Sequence, residues 1–243
     1  MDDLAALRLQ IEWGADESLA EAPVNQFTPA SPTARPLALV RPALPTPAPA
    51  VPAAILDLAA LQAALETFEA CPLHATASTT VAPSGNPTAG LVFIGEAPGP
   101  DDDRSGHAFS GGPGAMLDRV LASAGLDRTH LLLAHLVPWR PPGGRPVNDH
   151  EVALCLPFLH RLLALTRPRH VVLLGNGPLR ALTGHAAGLR QARGRWTAVP
   201  VPGMEESVPA LPMLSPDTWL KTAGNKQNTW TDLLTLVDIV QAS

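Results

Sequence analysis

The chain has 243 residues, with 17 Lys and Arg against 22 Asp and Glu, a formal charge of −5. That length holds one large domain, or one of medium size with a tail; the acidic balance argues against a general nucleic-acid coat protein and leaves a local basic groove open. Its two cysteines, Cys71 and Cys155, exclude a disulfide framework, no apolar run reaches the roughly 18 residues of a membrane span, and "MDDLAALRLQIEWG" has no basic lead into an apolar stretch, so a cytoplasmic protein without membrane contact is expected.

Leu4, Leu7 and Ile11 recur at helical spacing, which predicts a short N-terminal helix within residues 1–20. Residues 21–54 carry nine of the 27 prolines, which forbids regular ladders and helices and predicts a disordered or polyproline-like linker. A compact domain over 55–243 follows. Ile55, Leu58, Leu61, Leu65 and Phe68 mark an amphipathic helix over 55–70, and "GLVFIG" reads as a strand buried on both faces. A helix over 115–124, the strand "HLLLAHLV", a helix over 149–166 capped by Asn148 or Asp149, and the strand "HVVLLG" come next. A short helix over 178–183, the weaker strands "AVPVP" and "ALPML", and a helix over 229–241 complete the chain. Strands alternating with helices predict a parallel sheet covered on both sides.

In open parallel sheets ligands bind at the carboxyl ends of the strands. Four unusual segments fall there: 95–99, 135–145, 175–177 and 214–221. Gly95 and Gly99 let backbone approach a ligand, Pro98 stiffens the loop, and Glu96 offers a carboxylate. The glycines are not a phosphate loop, since no Gly-Lys-Ser/Thr follows, and they miss the dinucleotide spacing. Asp101, Asp102 and Asp103 would also repel a phosphate, so this loop suits a neutral ligand or an activated water. By contrast, "HLVPWRPPGGRP" sets Arg140 and Arg145 about a rigid turn that can hold guanidinium groups against phosphates.

Taken in order, "GEAPGPDDD", "WRPPGGRP", "CLPFLHRLLALTRPRHVVLLG", "RGRW" and "SPDTWLK" resemble the uracil-DNA glycosylase superfamily. Within it they resemble family 4, and there the clusterless group with tryptophan before Arg-Pro-Pro; the resemblance runs from Leu65 to about Val237. It implies a three-layer α/β/α sandwich around a central four-stranded, mainly parallel sheet. It also implies a hydrolase of base-excision repair that flips uracil, or another deaminated base, out of DNA and cleaves its N-glycosidic bond. Glu96 stands where that family keeps the acidic residue near the water and the sugar, with Gly95 and Ala97 lining the base pocket. Phe109 matches the aromatic that stacks on the base, a contact of roughly 1–3 kcal/mol; on its own it would read as a core phenylalanine. Asp102 and Asp103 match an acidic pair that holds the loop's shape or acts in catalysis. Arg140, Pro141, Pro142 and Arg145 match the loop that grips DNA. Pro216 and Lys221 belong to the late motif, where Lys221 suits a phosphate, and Gly194, Arg195 and Trp196 match a family turn.

Three departures from the family pattern stand out. Cys71 and Cys155 fit two of four iron–sulfur ligand places, but Phe68 and Trp139 stand at the others, so no cluster and no other cofactor or metal is expected. His135 stands where the family has an asparagine that reads the uracil edge; it either reads a carbonyl with altered geometry or is a satisfied core histidine. Ser215 replaces a histidine that donates to the leaving base, and losing one such donor costs on the order of 10²–10³ in rate. Three functions therefore stand side by side: a uracil-DNA glycosylase, a degenerate relative that binds DNA without hydrolysis, and a glycosylase of altered base specificity. A monomer is expected, with damaged DNA as its partner.

Overall fold

The computed structural model describes residues 55–184, 188–219 and 221–241, and the expected N-terminal helix (1–20) and linker (21–54) lie outside the described residues. One six-stranded sheet runs β1 (Ser84–Gly85), β3 (Leu132–His135), β2 (Leu91–Gly95), β4 (His170–Leu174), β6 (Val208–Met213), β5 (Thr197–Val199) from edge to edge. The four inner strands are parallel, as expected, and β1 and β5 add an antiparallel strand at each edge.

Alternation along the strands divides the core into two layers. Val92, Ile94, Val171 and Leu173 pack on one face, beneath α1 (Leu58–Glu66), α4 (Asp149–Thr166) and α5 (Asn176–Thr183). Leu91, Phe93, Val172 and Leu174 pack on the other, with Leu117 and Leu121 of α3 (Gly111–Ser123) and Leu233 and Leu236 of α8 (Ala223–Gln241). Side chains two residues apart share a face, so strands apolar throughout are those covered by helices on both sides. The sandwich expected from the sequence is therefore the fold observed.

The short helices α2 (Pro100–Ser105) and α6 (Leu189–Ala192) lie between these, and helix ends follow local chemistry. Asn148 Oδ1 accepts from the Glu151 N–H at 2.9 Å while Glu151 Oε2 accepts from the Asn148 N–H at 3.0 Å, a reciprocal cap that starts α4 where the sequence predicts it. α1 starts after Asp57, whose side chain accepts from the Ala60 N–H at 2.7 Å, and it stops before Thr67, four residues short of the expected end. Phe68 instead leaves the helix to join an aromatic cluster described below. The closing helix starts at Ala223 rather than 229.

Candidate active site

The parallel strands end together at Gly95, His135, Leu174 and Met213, and the segments beyond them enclose a cleft of about 630 Å³. Gly95, Glu96, Ala97, Phe109, His135, Arg140, Pro141, Arg145, Ser215 and Pro216 all line it. Two expected site residues do not: Pro142 opens a 3₁₀ turn over Pro142–Gly144 with its side chain outward, and Lys221 is exposed just after α7 (Pro216–Trp219).

Gly95 and His135 are register partners on adjacent strands, and the ladder continues as the Leu136 N–H donates to the Gly95 carbonyl at 2.7 Å. A Cβ on Gly95 would fall 2.6 Å from Phe109 Cζ and 2.7 Å from His135 Nδ1, so only glycine lets these two rings close over the strand end. The rings are stacked, with centroids 4.7 Å apart and planes inclined by 21°.

Phe109 holds its place through unusual backbone. Its φ of 55° lies in the left-handed region, costly for a bulky residue. Its carbonyl accepts from Arg128 Nη2 at 2.6 Å, and Arg128 is braced in turn by Asp118 at 2.8 Å and 3.2 Å. Gly114 completes the fit, since a Cβ there would lie 1.8 Å from the same carbonyl. Gly114 thus serves close packing of α3 against this turn.

Asp102 and Asp103, both buried, have separate tasks. Asp103 accepts from the Ser78 N–H at 2.8 Å and the Ser78 hydroxyl at 3.0 Å, pinning the chain before β1. Asp102 accepts from the Gly99 N–H at 2.9 Å, the Ser110 N–H at 2.5 Å and His135 Nε2 at 3.2 Å. Burial pushes its carboxyl up, but the hydrogen bonds from His135, Gly99 and Ser110 outweigh burial and hold it below the ordinary range. An ionised carboxylate only accepts, so Nε2 of His135 carries the proton.

The remaining groups differ in freedom. Glu96 is exposed at the rim, and its carboxylate has no hydrogen-bond partner among the described residues. Arg140 is half-buried and also unpaired among them. Arg145 is already engaged: it donates to both carboxylate oxygens of Glu151, at 2.9 Å and 2.5 Å, and so closes the turn onto α4. This pairing holds the Glu151 carboxyl below the usual range despite burial. Ser215 is half-buried, its carbonyl accepting from the Thr218 N–H at 2.9 Å and Thr218 hydroxyl at 2.8 Å. The "RGRW" turn lies elsewhere: Arg193 pairs with buried Asp232 at 2.7 Å and 3.1 Å, joining this turn to α8.

Sequence reasoning missed two supports of the cleft, the Asp102 bond to His135 and the Arg128 bond to the Phe109 carbonyl. The acidic run marked the first without naming its partner. Nothing local marked the second, because Arg128 lies 19 residues away in sequence.

The four iron–sulfur positions converge at another corner. Cys71 and Cys155 are buried with sulfurs 4.0 Å apart, while Phe68 stacks 6.3 Å from Trp139 and meets Phe158 edge-on at 4.8 Å. The Cys155 S–H donates to Cys71 and draws that thiol down to about 7, while the same pairing and burial push Cys155 up. Carbon rings offer iron no ligand, and two thiolates do not complete a four-iron cluster. No group of three or more His, Cys, Asp or Glu among the described residues is placed to hold a metal ion. No helix among them is long and apolar enough to cross a membrane.

The structure is thus a three-layer α/β/α sandwich whose strand-end cleft brings together a rim carboxylate, an aromatic stack and an arginine. The chain belongs to the uracil DNA glycosylase superfamily, whose sequence pattern matches residues 82–234. It is 33% identical over 120 residues to the type-4 uracil-DNA glycosylase of Pyrobaculum aerophilum, covering 49% of this chain and 61% of that protein. It is 41% identical over 105 residues to that of Archaeoglobus fulgidus (43% and 53%) and 35% identical over 106 residues to that of Thermotoga maritima (44% and 55%). These relatives support the family-4 resemblance; the chain spans little more than half their length.

Proposed function

We propose that the protein is a DNA N-glycosylase that hydrolyses the bond between deoxyribose and uracil, or another deaminated base, swung out of the helix. What carries this reading is the convergence of Glu96, Phe109, His135, Arg140 and Ser215 on one cleft at the strand ends, together with the type-4 uracil-DNA glycosylase relatives. In the reaction, water adds to the anomeric carbon as the glycosidic bond breaks, and the base departs with the bonding electrons. The exposed Glu96 carboxylate, without a partner among the described residues, orients that water and takes its proton. The Ser215 hydroxyl donates to the departing base in place of a longer imidazole arm, and Arg140 holds a phosphate beside the flipped nucleotide. Residues 55–243 act as a cytoplasmic monomer and need no iron–sulfur cluster, because Phe68 and Trp139 fill the places of two ligands.

A second reading, DNA binding without hydrolysis, is favoured by one observation: Phe109, the ring meant for the base, is stacked on His135. A uracil-containing oligonucleotide, incubated with excess protein and treated with alkali, separates the two. Strand scission at the uracil supports the glycosylase, and an intact strand after long incubation removes it. Hypoxanthine and xanthine oligonucleotides test for altered specificity in the same assay.

A further inference from the structure

His135 carries the one buried ring nitrogen without a partner among the described residues, Nδ1. Its side chain is 5% exposed, its Nε2 is tied to Asp102, and its plane lies on Phe109. Phe109 is itself 5% exposed and belongs to the apolar layer beneath α3, so neither face of its ring is open. We propose that His135 and Asp102 are a positioning pair that governs admission of the base: the imidazole occupies the place on Phe109 that a flipped base would take, Asp102 clamps it there, and a base binds only by displacing it. This rests on the reading of Phe109 as the base-stacking ring.

Three features support it. Each aromatic contact takes about 3.5 Å, so a base inserted between the rings needs about 7 Å, against the 4.7 Å present; imidazole and base exclude each other. The clamp is directional, because Asp102 has two backbone N–H partners that fix its carboxylate whether or not the imidazole is there. Finally, the closed arrangement leaves Nδ1 buried and unsatisfied, which disfavours it and keeps the imidazole poised to leave.

The test uses the full chain and an oligonucleotide carrying 2′-fluoro-deoxyuridine, whose glycosidic bond resists hydrolysis, beside the same strand with thymidine. His135→Ala and His135→Asn bind the uracil strand about tenfold more tightly than the parent, the size of one stack and one net hydrogen bond. Asp102→Asn, which keeps the ring but loosens its clamp, falls between. In the parent, the His135 ring protons show a ring-current displacement from Phe109 in NMR spectra, and they lose it when the uracil strand binds but not when the thymidine strand does. Unchanged or weaker uracil binding by the His135 variants, or a ring-current displacement retained in the complex, overturns the proposal. If the His135 variants fail to fold, the Asp102→Asn affinity and the parent's NMR signal decide it. If parent and variants alike hold the uracil strand no tighter than the thymidine strand, the base-binding reading itself falls, and this proposal with it; failure confined to the variant comparison sinks only the proposal.

Discussion

Replacing Arg193 with leucine strips the counter-charge from Asp232. The Asp232 side chain is 1% exposed, and its carboxylate takes two bonds from Arg193, at 3.1 Å and 2.7 Å. Removing one partner of such a pair leaves an uncompensated buried charge and costs about 3–5 kcal/mol. At about 2–4 °C per kcal/mol for a domain of this size, melting falls by roughly 6–20 °C. The cost depends on pH. Burial pushes the Asp232 carboxyl up from its ordinary 3.8 to about 6, against the downward pull of Arg193. A carboxyl raised on folding favours the protonated native state, so its contribution is best below the unfolded value and declines as pH rises from 3.8 through about 6. Without Arg193 the carboxyl rises further and the decline extends above 6. Circular-dichroism melts of parent and variant across acid to mildly alkaline pH should therefore diverge most on the alkaline side. Adding Asp232→Asn to the leucine variant should flatten the profile and restore part of the loss. A drop under about 1 kcal/mol, or one of equal size at every pH, would refute the assignment of a buried ion pair here.

Other changes probe the cleft and the aromatic corner. If Glu96 handles water rather than DNA, as proposed, Glu96→Gln should lower strand scission at uracil by about 10²-fold or more while filter-binding of the same strand stays unchanged. Gly95→Ala should cost about 1–3 kcal/mol in urea denaturation, since its methyl would sit 2.6 Å from Phe109 Cζ and must push the two rings apart. Trp139→Ala should cost about 3–5 kcal/mol in the same assay, as its 1% exposed indole fills the corner beside Cys71 and Cys155. The purified chain should be colourless, with no visible absorption from iron and sulfide.

Much of this fold was legible in the sequence because burial on two faces leaves an unmistakable mark. "LVFIG" and "HVVLL" cannot be exposed on either side, and the Asn148–Glu151 cap fixed the start of α4 to the residue. The edge strands were harder. β1 is two residues, Ser84 and Gly85, with no apolar period to detect, and β5 is three. Contacts in the cleft divide along the same line. Residues within one loop, such as Glu96 and Ala97, come together by chain connectivity. The His135–Asp102 bond joins groups 33 residues apart and depends on the register of β2 with β3, which no local pattern encodes. The engagement of Arg145 by Glu151 was hidden for a related reason: a basic side chain in a proline turn looks equally free whether or not a buried carboxylate lies six residues on.

The bridge from Asp118 through Arg128 to the carbonyl of Phe109 has a bearing on how this protein can change. Both charged side chains reach water, yet they dictate the pose of a ring inside the cleft. On the proposed reading of Phe109 as the base-stacking ring, drift at the solvent-facing end of this lever would tilt the ring and alter which molecules the cavity accepts. Variants that retune selectivity are therefore to be sought on the outer side of α3 as well as around the cleft.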